Sequence, residues 1–521
     1  MVNPGYRKRT ILLLVALLLV RFWFAQTFEL SGQEAYLWLQ GHGTNLSPAY
    51  WERGPFVPWL IRVGTLFFGD TELGVRWLAA VICCASGFVL FYLARHWFSA
   101  RSAFWTVVLF IIIPMYAWKL SFMTEATASI GLMALTLFAF CRAVEEDKVW
   151  WWFLGGIACG SALLVALPNV WWLVGLLLYF AVSPERRPRL MEALLWSMIL
   201  FTGLFLLPMI WWWRGEQVAD VAHTRMINAW PLSHSFSLNQ GFHFIWTEIF
   251  YLSVPFFVLL AVLLWRLGRQ LWEDPRYGLL VCLAVPGLVW QNFTAFFHEG
   301  HFELVPALFL PLLLLVGCYT ARLSRIDRAA SLVFAGVFIF AALQSIIGLN
   351  PFYVASRTDG SGYEILRTRS GENVTGFNPD KRQISWRNVA DHVVQIQRDV
   401  GATLVITDST SMASALSFYL PRNPFVYVVD KPEVITQFDF WPSYDQSASP
   451  NDSALFISQS NDQPPADLVK NFTSVTLMDD PPFSDFEKSW SIWNCQQFIG
   501  SGQNAGAAQA KAMPDSEALP K

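Results

Sequence analysis

The sequence predicts an α-helical polytopic membrane protein of about eleven spans with a C-terminal extracytoplasmic α/β domain. Three observations predict it. Only 14% of the residues are charged while 54% are hydrophobic. Apolar runs of near-spanning length recur as far as residue 349, and Lys and Arg gather in every second loop. Soluble domains carry roughly 25% charged residues. A deficit of this size leaves too few charges to coat a water-facing surface, so lipid is the solvent for much of the chain. The 26 Trp and 43 Phe point the same way, because aromatic rings sit well at bilayer interfaces. A net charge of −3 gives none of the basic excess that nucleic acid demands.

The first helix follows Arg7, Lys8 and Arg9 and runs through Ile11 to Val20. It resembles a signal peptide, but the small-residue cleavage site is missing, so we read a retained first span. Further spans are expected near 74–94, 102–118, 124–143, 150–165, 170–183, 195–213, 248–266, 279–297, 302–318 and 329–349, after the first at 10–27. The split at Pro168-Asn169 is the weakest, since 150–183 also reads as one interrupted helix. The loops test the order independently, because Lys and Arg favour the cytoplasmic side. Expected inner loops carry Arg95 and Arg101; Arg142 and Lys148; Arg186, Arg187 and Arg189; Arg266, Arg269 and Arg276; Arg322, Arg325 and Arg328. The short outer loops carry little: Lys119 in one, and no Lys or Arg in 166–169 or 298–301. An inner N-terminus and an odd span count place residues 350–521 outside. Residues 1–349 then form the transmembrane domain, with long outer loops at 28–73 and 214–247. Within the first loop, Phe56 to Phe68 is too short to span and reads as an amphipathic helix in the interface.

The tail at 350–499 reads as a separate α/β domain. Residues 386–400 have helical periodicity. Leu404 to Asp408 reads as a strand, Ser411 to Leu420 as a helix and Phe425 to Val429 as a strand, an alternation that suggests a small α/β layer. Ala454 to Ser458 and Val475 to Met478 could add strands. The Gly/Ala/Gln/Lys composition of 500–521 suggests disorder. Six of the seven cysteines fall in or beside apolar spans. Cys495, alone in the polar tail, has no partner for a disulfide within its domain.

Three clusters could carry chemistry. The first outer loop contains Gln33-Glu34-Ala35-Tyr36 and Tyr50-Trp51-Glu52-Arg53. Solvated loop charges are the plain alternative there. Glu125 opens a span at the outer surface. A first-turn acid favours the helix dipole, which is explanation enough by itself. It is also well placed to meet Glu34 in a cleft, where two acids could bind a divalent cation or serve as a general base. The short turn His298-Glu-Gly-His301-Phe-Glu303 could bind a metal or a phosphate, although its spacing matches no zinc pattern. Arg214 and the histidines of 214–247 could pair with phosphate; ordinary solvation explains them equally well. No Walker A loop, G-x-S-x-G elbow or HExxH pattern occurs.

On these residues the chain resembles membrane glycosyltransferases of the GT-C class, in the group of protein O-mannosyltransferases (bacterial family 39) and the lipid A aminoarabinose transferase. The runs Gln33 to Tyr36, Tyr50 to Pro55 and Phe68-Gly69 to Arg76, the acid Glu125, and the tail runs Ala413 to Pro421 and Gln437 to Pro442 carry the resemblance. It implies inverting transfer of a hexosyl or pentosyl group from a polyprenyl-phosphate carrier to a lipid, glycan or protein acceptor outside the bacterial cytoplasmic membrane. It implies Glu34 as the base or its supporting carboxylate, and Glu125 as the second acid. Tyr36, Tyr50, Arg53, Arg214 and His298 are implied substrate contacts, and Glu34, Glu125, His298 and His301 are candidate ligands for a divalent cation. Gln33 stands where the group most often has Asp, and an amide cannot act as a base. A transporter or flippase for lipid-linked glycans, or a non-catalytic assembly protein, would share the spans. No convincing internal repeat favours transport.

Overall fold

A computed structural model describes residues 4–47, 50, 54–214, 236–268, 274–297, 305–326, 385–429, 436–458, 464–478 and 491–500. The chain divides into two compact units. One is Met1–Thr27 with Gln40–Arg357; the other is Phe28–Leu39 with Thr358–Lys521. The first outer loop is therefore split, and its opening residues belong to the tail's unit.

The first unit is helical. Helix α1 is Pro4–Thr27, and α2, Gly32–Gly41, crosses the boundary between the units. Then follow α3 (Phe56–Phe68), α4 (Glu72–Trp97), α5 (Ala100–Ile112), α6 (Pro114–Lys119), α7 (Glu125–Glu146) and α8 (Val149–Val165). A 3₁₀ turn at Leu167–Val170 leads to α9 (Trp171–Val182), α10 (Ala193–Leu204) and α11 (Leu207–Trp213). After these come α12 (Leu238–Tyr251), α13 (Val254–Leu267), α14 (Pro275–Thr294), α15 (Val305–Leu308) and α16 (Leu310–Ile326). Among the described residues, α1, α4, α7 and α14 are long and apolar enough to cross a membrane alone. The expected span at 329–349 lies outside the described residues.

Four expected spans are broken, each at a proline. Ile113 is extended before Pro114, so 102–118 becomes α5 and α6. Pro208, Pro255 and Pro311 are the second residues of α11, α13 and α16. Proline disfavours helical geometry in the residue before it and is at home in a first turn. Capping fixes other ends. Thr71 accepts from the Gly74 amide to start α4, Ser99 accepts from Ser102 to start α5, and Asp147 ends α7 in the left-handed region at φ 50°.

Side-chain contacts sort the helix ends into two groups. At one end, Glu145 accepts from the Trp97 indole and lies 2.9 Å from His96. Arg276 donates to the Trp97 carbonyl at 2.9 Å, Tyr277 stacks on Phe98, and Arg189 donates to Val144 O at 3.2 Å. Tyr6 meets Phe104 in the same layer. At the other end, Phe24 packs on Phe122, Tyr116 donates to Pro306 O at 2.9 Å, and Asn169 donates to Ser129 Oγ at 3.1 Å. The basic loops around Arg95, Arg142, Arg189 and Arg276 thus share one end. This also resolves the break at Pro168-Asn169. Helix α8 starts beside α7's basic end, with Trp152 donating to Asp147. Helix α9 finishes there too, where Tyr179, Ser183 and Arg186 line a cavity with Gly278 and Cys282 at the start of α14. The two helices run in opposite senses. Close approach aids the return: a Cβ on Gly175 would stand 2.4 Å from Cys282 O.

The second unit holds a five-stranded sheet of order β2-β1-β3-β5-β4. The strands are β1 (Leu404–Thr407), β2 (Tyr427–Val428), β3 (Ala454–Ser458), β4 (Phe472–Leu477) and β5 (Ser491–Phe498). Strands β2, β1 and β3 are parallel; β5 runs antiparallel to β3 and β4. Helix α17 (Trp386–Val400) precedes β1, and α18 (Thr410–Tyr419) crosses from β1 to β2. Ile406, Phe456, Phe472, Cys495 and Phe498 share the core. Burial pushes the Cys495 thiol up to about 12. Residues 500–521, expected to be disordered, lie outside the described residues from 501 onward.

Candidate active site

Glu125 is the first residue of α7, at the end of the helical unit remote from the basic loops. The turn before it is tightly held. Arg21, in α1, donates to the Ala117 carbonyl at 2.7 Å and also bonds the Ser121 hydroxyl. Arg76, 1% exposed, lies over the rings of Phe24 and Phe122 at 5.7 and 5.4 Å. The Thr127 hydroxyl lies 2.7 Å from the carbonyl oxygens of both Lys119 and Phe122, which share its one proton. One helical turn below Glu125, Ser129 accepts from Asn169, whose amide nitrogen also donates to Ala162 O at 2.8 Å. Glu125 is half-buried in this frame as a residue, with its Oε1 buried, in the first turn, where the helix dipole favours its charge.

Glu34 is fully buried and belongs to the other unit. Its Oε2 accepts from the Ser31 amide and hydroxyl, both at 3.2 Å, while its own amide donates to Ser31 Oγ at 3.1 Å. Ser-Gly-Gln-Glu is thus a capping box at the start of α2. Tyr36 is buried as well: its hydroxyl accepts from the Gln437 amide at 3.2 Å and its ring stacks on Phe438.

Tyr50 is 1% exposed. Its hydroxyl donates to Gln40 O at 2.6 Å and accepts from the Ser47 amide at 2.9 Å, and burial pushes the phenol up to about 12. Tyr50 thus has its hydroxyl engaged as donor and acceptor, and Tyr36 as acceptor. Gly54 is pressed against the end of α8, where a Cβ would stand 1.7 Å from Leu164 O. Arg214 is exposed just after α11. Arg53, His298 and His301 lie outside the described residues. Among the described residues no three of His, Cys, Asp or Glu converge as metal ligands.

Sequence reasoning missed four buried polar groups. Arg21 and Asn169 hold the frame of Glu125, and Glu29 anchors the tail. Glu248, on α12, is 3% exposed and accepts from Asn292 Nδ2 at 3.2 Å. An ionisable side chain in an apolar run is a signal by itself, and Arg21 and Glu248 stood in such runs. Asn169 and Glu29 gave no comparable signal, because their partners are remote in sequence.

Residues 52–212 match the family model of dolichyl-phosphate-mannose-protein mannosyltransferase. A lipid A galacturonosyltransferase of Rhizobium johnstonii is 23% identical over 265 residues, 50% of this chain and 54% of that protein. An undecaprenyl phosphate-α-4-amino-4-deoxy-L-arabinose arabinosyl transferase of Pseudomonas fluorescens is 26% identical over 333 residues, 58% of this chain and 55% of that protein. The chain spans about half the length of these curated relatives. The crystal structure of ArnT from Cupriavidus metallidurans bound to undecaprenyl phosphate aligns with 93% of this chain and 97% of its own, at 16% identity and a TM-score of 0.65. Its apo form aligns with a TM-score of 0.59. The fold is that of these ArnT structures. In sequence the chain is similar to the aminoarabinose and lipid A galacturonic acid transferases.

Proposed function

We infer that the protein is a membrane glycosyltransferase that takes a sugar from a polyprenyl-phosphate carrier and delivers it to an acceptor at the outer face of the cytoplasmic membrane. The observation that carries this reading is the fold, shared over nearly the whole chain with an ArnT structure holding undecaprenyl phosphate, together with an acid framed at the end opposite the basic loops. Positive loops favour the cytoplasm, so the Glu125 end would face outward and the tail would be periplasmic.

In this reading an ionised carboxylate acts as general base and takes the acceptor's hydroxyl proton as the oxygen attacks the anomeric carbon. The sugar–phosphate bond breaks, the configuration inverts, and the polyprenyl phosphate leaves with its charge held by cations. Glu125 is the proposed base, Glu34 its proposed supporting carboxylate, and Arg53, Arg214 and His298 the proposed phosphate contacts. Purified protein in proteoliposomes, given undecaprenyl phosphate linked to 4-amino-4-deoxy-L-arabinose or to galacturonate with lipid A as acceptor, should release undecaprenyl phosphate. Absence of release and of sugar transfer with every such donor would refute the reading.

A further inference from the structure

We propose that the C-terminal α/β domain is a positioning device for the acid-bearing helix α2, fixing where the Glu34 carboxylate stands. Residues 28–39 are woven into that domain at successive points. Glu29, 6% exposed, accepts from the Ser385 hydroxyl and from the Trp386 amide at 2.9 Å, so it caps the start of α17. The Leu30 amide donates to the Tyr419 hydroxyl at 2.7 Å, at the end of α18. Gly32 lies against Ser411 at the start of α18: a Cβ on Gly32 would stand 1.7 Å from Ser411 Oγ and 3.0 Å from its Cβ. Tyr36 closes on Gln437 and Phe438, and Trp38 meets the Phe418 ring edge-on at 4.9 Å.

These contacts bracket Glu34 on both sides. Residues 29, 30 and 32 fix the helix start, and 36 and 38 fix its next turn. A ten-residue helix is marginal alone in water, so its geometry is set by what it packs on. The packing surface comes from α17, α18 and the 3₁₀ turn Gln437–Phe440, which lie some 350 to 400 residues later in the chain. The capping box orients the carboxylate within α2, and the tail orients α2. Ser385, Ser411 and Tyr419 are therefore positioning residues. This assignment rests on the reading that Glu34 serves sugar transfer.

The test is a steric suppressor pair in the full-length protein. Gly32→Ala forces a methyl group into Ser411. It should lower kcat about tenfold with an unchanged donor KM, because a small misplacement of a reacting group costs rate more than binding. The probe is undecaprenyl phosphate-4-amino-4-deoxy-L-arabinose with lipid A. Amide hydrogen exchange of residues 34–39 should quicken in parallel. Adding Ser411→Gly removes both side-chain atoms that clash and should restore both readouts. Tyr419→Phe, which deletes one hydroxyl without steric change, should shift both in the same direction by a smaller factor. The proposal is overturned if Gly32→Ala leaves exchange unchanged, if exchange quickens while kcat stays at wild type, or if Ser411→Gly fails to restore either. Failure of the wild-type protein to transfer any sugar would count against the functional reading, and the exchange arm with its suppressor would still decide whether the tail holds α2.

Discussion

Glu34 and Glu125 each stand in the first turn of a helix, beside a Ser or Thr that precedes it, and in the sequence they look alike. Their surroundings differ. Glu34 closes a capping box, is fully buried and sits on a helix clamped by a soluble-type α/β domain. Glu125 is half-buried and opens a helix of 22 residues, one turn above a Ser129–Asn169 hydrogen bond. The difference separates two jobs that one sequence pattern can encode. A carboxylate whose Oε2 is engaged by its own helix terminus holds geometry. A carboxylate that opens a long span on a rigid frame is better placed to handle a proton.

The largest expected effect breaks the comparison at Glu125. Glu125→Gln should lower turnover by about 10²–10⁴-fold, the usual worth of a general acid–base group, with little change in protein yield or melting temperature. The next breaks the tail. Phe456 is 2% exposed between β1 and β5, and Phe456→Ala should destabilise that domain by about 3–5 kcal/mol, read as an early thermal transition. If α2 depends on the tail, exchange at residues 34–39 should rise in the same variant. A third prediction sharpens the contrast. Glutamine serves a capping box as well as glutamate does, so Glu34→Gln should leave α2's exchange unchanged. Any turnover lost then reports the carboxylate's charge, and full turnover would remove Glu34 from the mechanism. Glu34→Ala, by contrast, should cost about 1 kcal/mol of helix-start stability. The smallest effect is chemical. The Cys495 thiol, pushed up to about 12 by burial, should resist alkylation at pH 8 in folded protein and react once the tail is unfolded.

Much of the helical unit was legible because its signals are local. Apolar length marks the helices, and the basic loops sort the ends. The four broken spans were also written in the sequence: Pro114, Pro208, Pro255 and Pro311 each stand inside an apolar run. Apolar length had outweighed proline geometry at these four positions, where the helices break; Pro286, by contrast, lies inside the unbroken α14. The tail's parallel strands could be read from Leu404–Thr407 and Ala454–Ser458. Strand β5 was missed because Asn494, Gln496 and Gln497 dilute its apolar alternation, although Ile492, Cys495 and Phe498 still reach the core. The capture of residues 28–39 by the tail was beyond local reasoning. Glu29 and Ser385 are 356 positions apart, and neither shows in sequence that it needs the other. Loop composition alone therefore suggested a single outer loop at 28–73.

Sugar transfer from a polyprenyl phosphate carrier, with Glu125 as the proposed base, can be tested in a single assay. The direct measurement is release of undecaprenyl phosphate from undecaprenyl phosphate-4-amino-4-deoxy-L-arabinose in proteoliposomes with lipid A, for the wild type and Glu125→Gln side by side. Release by the wild type and its near-complete loss in the variant is the predicted result. Equal release by the two proteins would contradict the assignment of Glu125, and no release by the wild type from this donor or its galacturonate counterpart would contradict the function itself.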